Sequence, residues 1–263
     1  FMAPEGPPAP TATPPLRKLC YGEKEYWNER YAKSGMKKFE WYGPYETFRS
    51  QVLNSLESKS ISSDEKNTNI LTKADKMRNI SKTETAPETK SISETDTAQE
   101  NNTETTPGLA EKRQRAKLRV LIIGCGNSGL SEGLYQDGFT DSVSIDISDV
   151  VINQMQKYYK GSIPLHFEVM DARELKFKAN EFDLIFDKGT IDSILCGEGS
   201  TRNAGQMLRN IHKVLKPSGR FFLITCGTPE ARMIYLTKRV YKWDVKHSKI
   251  GNRHLYIATK KSA

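Results

Sequence analysis

At 263 residues and 37% hydrophobic content, the chain is long enough to bury a sizeable core, and one catalytic domain is the default reading. No apolar run approaches the roughly 20 residues of a bilayer span, and the Pro-rich start from Met2 to Pro15 has no apolar signal-peptide stretch. The expectation is a soluble protein with no membrane partner. The formal charge of +8 is concentrated between Arg232 and Lys261, which admits an acidic or nucleic-acid partner as readily as a solvated basic face.

In chain order, residues 1–19 read as a disordered Pro-rich start. Residues 20–56 form an aromatic segment, with Tyr26, Trp27 and Tyr31 followed by Phe39, Trp41, Tyr42, Tyr45 and Phe48. Trp27 and Tyr31, at i and i+4, share one helical face. Two readings stand for that face: it docks on the main domain, or it lines a ligand site. Residues 57–117 turn to Ser, Thr, Asn, Glu and Lys with no aromatic residue, a composition that buries too little apolar area to offset its ordering entropy. They read as a disordered insertion, with a short helix sketched by Ile70, Met77 and Ile80.

From 118 to 263 apolar runs alternate with amphipathic stretches. Strands are expected at Leu118 to Ile123, Ser142 to Ile145, Leu165 to Met170, Phe182 to Phe186 and Arg220 to Thr225. Helices are expected at Leu130 to Gln136, Asp149 to Tyr159 and about Gly205 to Leu215, the last followed by a Lys216-Pro-Ser-Gly219 turn. Two late segments around Gly251, Tyr241 to Val245 and His254 to Ala258, predict a closing antiparallel hairpin. The fold class is therefore α/β: a doubly wound, mostly parallel seven-stranded sheet of Rossmann-like type, with a terminal antiparallel hairpin and an N-terminal aromatic helical segment.

Ligands of such sheets bind at the carboxyl ends of the strands. There the first strand gives Gly124, Gly126 and Gly129, which remove side chains where the backbone turns and a ligand approaches. The second ends at Asp146, 20 residues after Gly126, the separation at which an acid accepts hydrogen bonds from ribose hydroxyls. The third ends at Asp171, placed to accept from an adenine amino group, and the fourth runs into Asp187-Lys-Gly-Thr-Ile-Asp192. The glycines alone suit NAD as well as S-adenosylmethionine. The acid after the third strand, the closing hairpin and the lack of chain for a separate substrate domain favour S-adenosylmethionine as cofactor.

Cys20, Cys125, Cys196 and Cys226 show no C-x-x-C spacing, and the four histidines have no ligand-like spacing. Neither a metal site nor a disulfide framework is expected, and a reducing, cytosolic or nuclear setting fits.

Glu25-Tyr-Trp-Asn-Glu-Arg-Tyr31, Phe39-Glu-Trp-Tyr-Gly43, Ile123-Gly-Cys-Gly-Asn-Ser128, Ile145-Asp-Ile-Ser148 and Phe182-Asp-Leu-Ile-Phe-Asp-Lys-Gly-Thr-Ile-Asp192 together resemble the methyltransferase-like 13 group, over about residues 20–56 and 117–259. The resemblance implies a cytoplasmic protein-lysine N-methyltransferase acting on translation elongation factor 1-alpha. It implies cofactor contacts at Trp27, Tyr31, Trp41, Gly124, Asp146, Ile147, Asp171, Ala172 and Lys188, to which the glycine turn itself adds Gly126, and activity in the segment from Asp187 to Asp192. The long insertion and Gly129, where the group often has alanine, depart from the pattern.

Methyl transfer from a sulfonium needs no protein nucleophile or metal, so the candidate catalytic residues are the acids Asp187 and Asp192. Either could receive a lysine ammonium, with Trp41, Tyr42 or Tyr45 walling the channel; either could instead cap a helix or pair with Lys188. A monomer with a protein partner is expected. RNA and small-molecule methyltransferases, an NAD-binding oxidoreductase and a non-catalytic binding module are the alternatives; nucleic acid is neither required nor excluded as a partner. An Asn-Pro-Pro-aromatic loop after the fourth strand, usual in enzymes of base amines and glutamine amides, is replaced here by Asp187-Lys-Gly-Thr.

Overall fold

A computed structural model describes residues 21–57 and 107–262. The disorder expected for residues 1–19, most of the insertion and the helix sketched at 70–80 lie outside these residues. Helix α1 (Lys24–Ser34), a 3-10 turn (Tyr45–Thr47) and α2 (Arg49–Glu57) precede the insertion; α3 (Pro107–Arg115) follows it. The core then runs β1 (Arg119–Ile123), α4 (Leu130–Gln136), β2 (Asp141–Asp146), α5 (Asp149–Tyr159), β3 (His166–Val169), β4 (Phe182–Lys188), α6 (Thr190–Leu195), α7 (Ser200–Val214), β5 (Leu215–Thr225), α8 (Pro229–Leu236), β6 (Trp243–Ile250) and β7 (Arg253–Lys260).

The seven strands form one sheet in the order β3-β2-β1-β4-β5-β7-β6. The first five are mutually parallel, and β7 runs antiparallel to both β5 and β6. This is the expected architecture, and its physical basis is visible in β1. Leu121 and Ile123 point into one core with Met207, Leu208 and Ile211 of α7, while Val120 and Ile122 point into the other with Leu134 of α4 and Val151 of α5. A strand buried on both faces reads as an unbroken apolar run, and each such side chain contributes about 1.5–3 kcal/mol. On α7, Ala204, Met207, Leu208 and Ile211 recur at the helical period and are all fully buried.

Several expectations need correction. The insertion does not extend to residue 117: α3 is helical and packs on the core, with Arg115 Nε donating to the Asp137 carbonyl at 2.6 Å. Its polar sequence hides this because it docks by charge and backbone contacts rather than an apolar face. The 216–219 turn is a bulge in β5, where the pairing register with β4 jumps from Leu215 to Arg220 and Ser218 adopts φ 62°. The hairpin is longer than predicted because β6 is an exposed edge strand with little apolar alternation. Helices α6 and α8, eight residues or shorter, carry too few turns to show a period.

The aromatic segment docks on the face formed by α4 and α5, where Tyr45, Phe48 and Val52 are buried. Tyr45 Oη donates to Asp137 at 2.8 Å, and Arg49 donates to both oxygens of the same carboxylate. Gly133 on α4 makes room for the Tyr45 ring, since a Cβ there would lie 2.7 Å from Tyr45 Cδ1. Gly133→Ala should therefore lower stability by about 1–3 kcal/mol by overpacking, although alanine is the better helix former; urea unfolding measures the loss.

Candidate functional site

The carboxyl ends of β1, β2 and β4 open into a cavity of about 400 Å³, roofed by α1 and the segment from Phe39 to Tyr42. That size is typical of small-molecule sites. After β1 the chain turns with Gly124 at φ 58° and Gly126 at φ 51°. A Cβ on Gly124 would sit 2.0 Å from Thr190 Oγ1, and one on Gly126 would sit 2.7 Å from the Tyr31 hydroxyl. Both positions thus demand glycine twice over, by dihedral and by space.

Asp146, at the end of β2, is buried beneath this turn. One carboxylate oxygen accepts from Gly126 N at 3.0 Å and the other from Ser148 N at 2.9 Å. Burial pushes its pKa up to about 6, with the two backbone donors pulling the other way. Ile147 lines the cavity beside it. Asp171 and Ala172 line the wall after β3; the Asp171 carboxylate is held by Arg173, with Nη2 at 2.7 Å, so an adenine amino group would share it with a guanidinium.

Trp27 and Tyr31 stack with ring centroids 5.7 Å apart and both line the cavity. Tyr31 is also buried in the core. That face thus packs on the core and also borders the cavity. Burial and the neighbouring Asp146 raise the Tyr31 hydroxyl well above its usual range. Trp41 lines the rim and is 38% exposed, edge-on to Phe39, with the Arg30 guanidinium 5.2 Å from its ring. Tyr42 lies deeper, while Tyr45 faces α4 and is not part of the cavity.

Lys188 ends β4 and lines the cavity, but its partner is not an acid of its own segment. Its Nζ donates to Glu40 at 2.8 Å and to the Trp41 carbonyl at 2.8 Å. Glu40 also accepts from Ser128 Oγ at 2.8 Å and Gly129 N at 2.6 Å. Burial lowers the Lys188 pKa and Glu40 opposes that shift. The only signal of this role in the sequence is an acid flanked by two aromatic residues, Phe39 and Trp41.

The two candidate catalytic acids separate. Asp187 is fully buried and does not line the cavity. Its oxygens accept from Thr190 N at 2.7 Å and Ile191 N at 3.1 Å, so it caps α6, and the expectation that it meets a substrate ammonium is corrected. Burial, then the nearby Asp192, push its pKa up to about 7. Asp192, in the first turn of α6, does line the cavity. Its Oδ1 accepts from Thr225 Oγ1 at 2.6 Å and Arg232 Nη2 at 2.5 Å, whereas Oδ2 is buried without a hydrogen-bond partner. Thr225, Cys226 and Arg232 carry no sequence signal of a site, because they end or follow a fifth strand without a motif. Among the described residues no group of His, Cys, Asp or Glu could hold a metal ion.

A family model described as "Methyltransferase domain" matches residues 114–262, more than half of the chain. The chain belongs to this methyltransferase family. The bovine (Bos taurus) protein named EEF1A lysine methyltransferase 4 is 27% identical over 271 aligned positions, covering 98% of this methyltransferase and 84% of the relative. The mouse (Mus musculus) protein of that name is 35% identical over 153 positions, 54% of this chain and 60% of its own length. The zebrafish (Danio rerio) mitochondrial citrate synthase-lysine N-methyltransferase is 33% identical over 135 positions, 47% of this chain and 53% of that one.

The cofactor of the family, S-adenosylmethionine, fits the residues present: a glycine cradle that any Cβ would fill, and a buried acid below it.

Two outcomes are expected. Glu40→Gln leaves Lys188 buried without a counter-charge and should cost about 3 kcal/mol of stability, with weaker cofactor binding; denaturant unfolding and calorimetric titration measure these. Asp187 binds protons in the folded protein between its unfolded value of 3.8 and its folded value of about 7. Its contribution to stability is present below pH 3.8 and is lost as pH rises through 7. Asp187→Asn, which keeps a capping oxygen, should flatten the decline in unfolding free energy across that range.

Proposed function

We propose that this chain transfers a methyl group from S-adenosylmethionine to the ε-amine of a protein lysine, and that its substrate is translation elongation factor 1-alpha. The observation that carries the reading is an aromatic-rimmed cavity lined by Asp192, a carboxylate whose Oδ2 is shielded from water and has no hydrogen-bond partner. The substrate is supported by the bovine relative, whose likeness extends over nearly the whole chain and whose name states that target.

Asp146, with Ile147, would hold the cofactor's ribose, and Asp171 with Ala172 its adenine; Gly124, Gly126, Trp27, Tyr31, Trp41 and Lys188 enclose the remainder. When bound, the cofactor supplies an electrophilic methyl group on a sulfonium, so the protein's task is position and electrostatics. A lysine amine with a reference pKa of about 10.4 must shed a proton before it can attack. Trp41 and Tyr42 strip water from the incoming ammonium and offer ring faces to its charge, and desolvation lowers its pKa. Asp192 Oδ2 accepts a hydrogen bond from the ammonium and fixes the nitrogen while the proton passes to solvent.

The cytoplasm is the proposed compartment, and the monomer the proposed form. Cys125, Cys196 and Cys226 are free thiols, as a reducing compartment keeps them.

Incubation with methyl-labelled cofactor and purified elongation factor 1-alpha should label a lysine, with citrate synthase as the competing acceptor. Asp192→Asn should lower kcat by about 100-fold. Label in citrate synthase alone would displace the substrate assignment, and undiminished transfer by Asp192→Asn would displace the mechanism.

A further inference from the structure

Arg232 is a guanidinium buried on α8, 8% exposed, at a cavity wall that already has to receive a cationic sulfonium and an ammonium. A third cation there is unfavourable unless it serves the acid beside it. Its hydrogen bonds show how it does so. Nη2 donates to Asp192 Oδ1 at 2.5 Å, and Nε donates to Thr225 Oγ1 at 3.1 Å.

Thr225 completes the arrangement. Its hydroxyl accepts from Gly227 N at 2.9 Å and from Arg232 Nε. With both lone pairs so engaged, its single proton is directed to Asp192 Oδ1 at 2.6 Å. Cys226 Sγ donates to the same oxygen at 3.3 Å. Three donors therefore load Oδ1, and none makes a hydrogen bond of good geometry to Oδ2; the Tyr42 hydroxyl lies beside the same carboxylate, which helps that hydroxyl keep its proton.

The chain is shaped around this guanidinium. A Cβ on Gly227 would lie 2.2 Å from Arg232 Cζ and 2.3 Å from Nε, so the planar group lies against bare backbone that only glycine provides. Gly227 is absent from the positive-φ glycines, so close approach rather than dihedral requires it. Other titratable groups near Asp192 are Asp187 on the strand before its helix, Tyr42 from the N-terminal segment, Cys226 after β5 and Tyr256 on β7. None of these is a cation, so Arg232 is the group that compensates the buried carboxylate.

We propose that Arg232 is a positioning residue: lying flat on Gly227 and orienting the Thr225 hydroxyl, it keeps Asp192 charged and its donors gathered on Oδ1, so that Oδ2, shielded from water in this structure, is the oxygen left for the substrate amine. The partner of Oδ2 rests on the function proposed above; the charge and orientation of Asp192 do not. The two are tested separately with Arg232→Ala, with and without methylguanidinium, beside Arg232→Lys and Asp192→Asn in the full chain.

In protein carrying 13C-carboxyl aspartate, the resonance missing from Asp192→Asn reports this side chain with no acceptor present. In Arg232→Ala that resonance moves at neutral pH to the position of a protonated carboxyl, and methylguanidinium returns it; in Arg232→Lys it stays at the carboxylate position. Methyl transfer to lysine falls about tenfold or more in kcat in the alanine variant, cofactor affinity holds, and methylguanidinium restores part of kcat. If the alanine variant does not fold, Gly227→Ala displaces the guanidinium with all charges retained and gives the same resonance shift. An unmoved resonance overturns the proposal, and so does a loss of cofactor affinity that matches the loss in kcat. A resonance that moves as described, in a protein that transfers no methyl to lysine, upholds Arg232 and overturns the substrate reading.

Discussion

The site depends on the ion pair between Glu40 and Lys188. Lys188 belongs to the central strand β4 and Glu40 to a segment that enters before the insertion, so the pair joins the two parts of the chain that enclose the cavity. Glu40 also takes the hydroxyl of Ser128 and the amide of Gly129, tying the glycine turn to the same point. A carboxylate with three donors in a half-buried place is well compensated, and removing it would leave a buried ammonium unpaired. The aromatic roof is consequently fixed by electrostatics at its inner end and by the packing of Tyr45 and Phe48 at its outer end.

Two acids five residues apart in sequence take opposite roles because of what donates to them. Asp187 spends both oxygens on backbone amides at the start of α6, which orders the helix. Asp192, in the first turn of that helix, has every hydrogen-bond donor on one oxygen and keeps the other bare. Composition and spacing make them equivalent; the difference lies in Arg232, contributed 40 residues later by α8.

The parallel sheet was legible because strands buried on both faces must be apolar throughout, and the long helices because α5 and α7 show a helical period over three turns or more. Gly124, Gly126, Asp146 and Asp171 were legible because strand ends are where an α/β sheet binds ligands. What escaped did so for physical reasons. Helix α3 docks through Arg115 and backbone contacts and has no apolar stripe, α6 is six residues long, and the partners Glu40–Lys188 and Asp192–Arg232 are separated by 148 and 40 positions. No local pattern encodes a pairing at such range.

Acids are also buried around the cavity at some energetic cost. Asp146 lines it and Asp187 lies in the core behind it, each shifted toward the protonated form by desolvation. A cationic ligand beside Asp146 offsets part of that cost, so the cofactor acts as a ligand of the native state, worth about 2.7 kcal/mol at a concentration 100 times its dissociation constant. For a protein of ordinary marginal stability that increment governs how often the chain opens to proteolysis. The same molecule that supplies the methyl group thereby also holds the native chain closed.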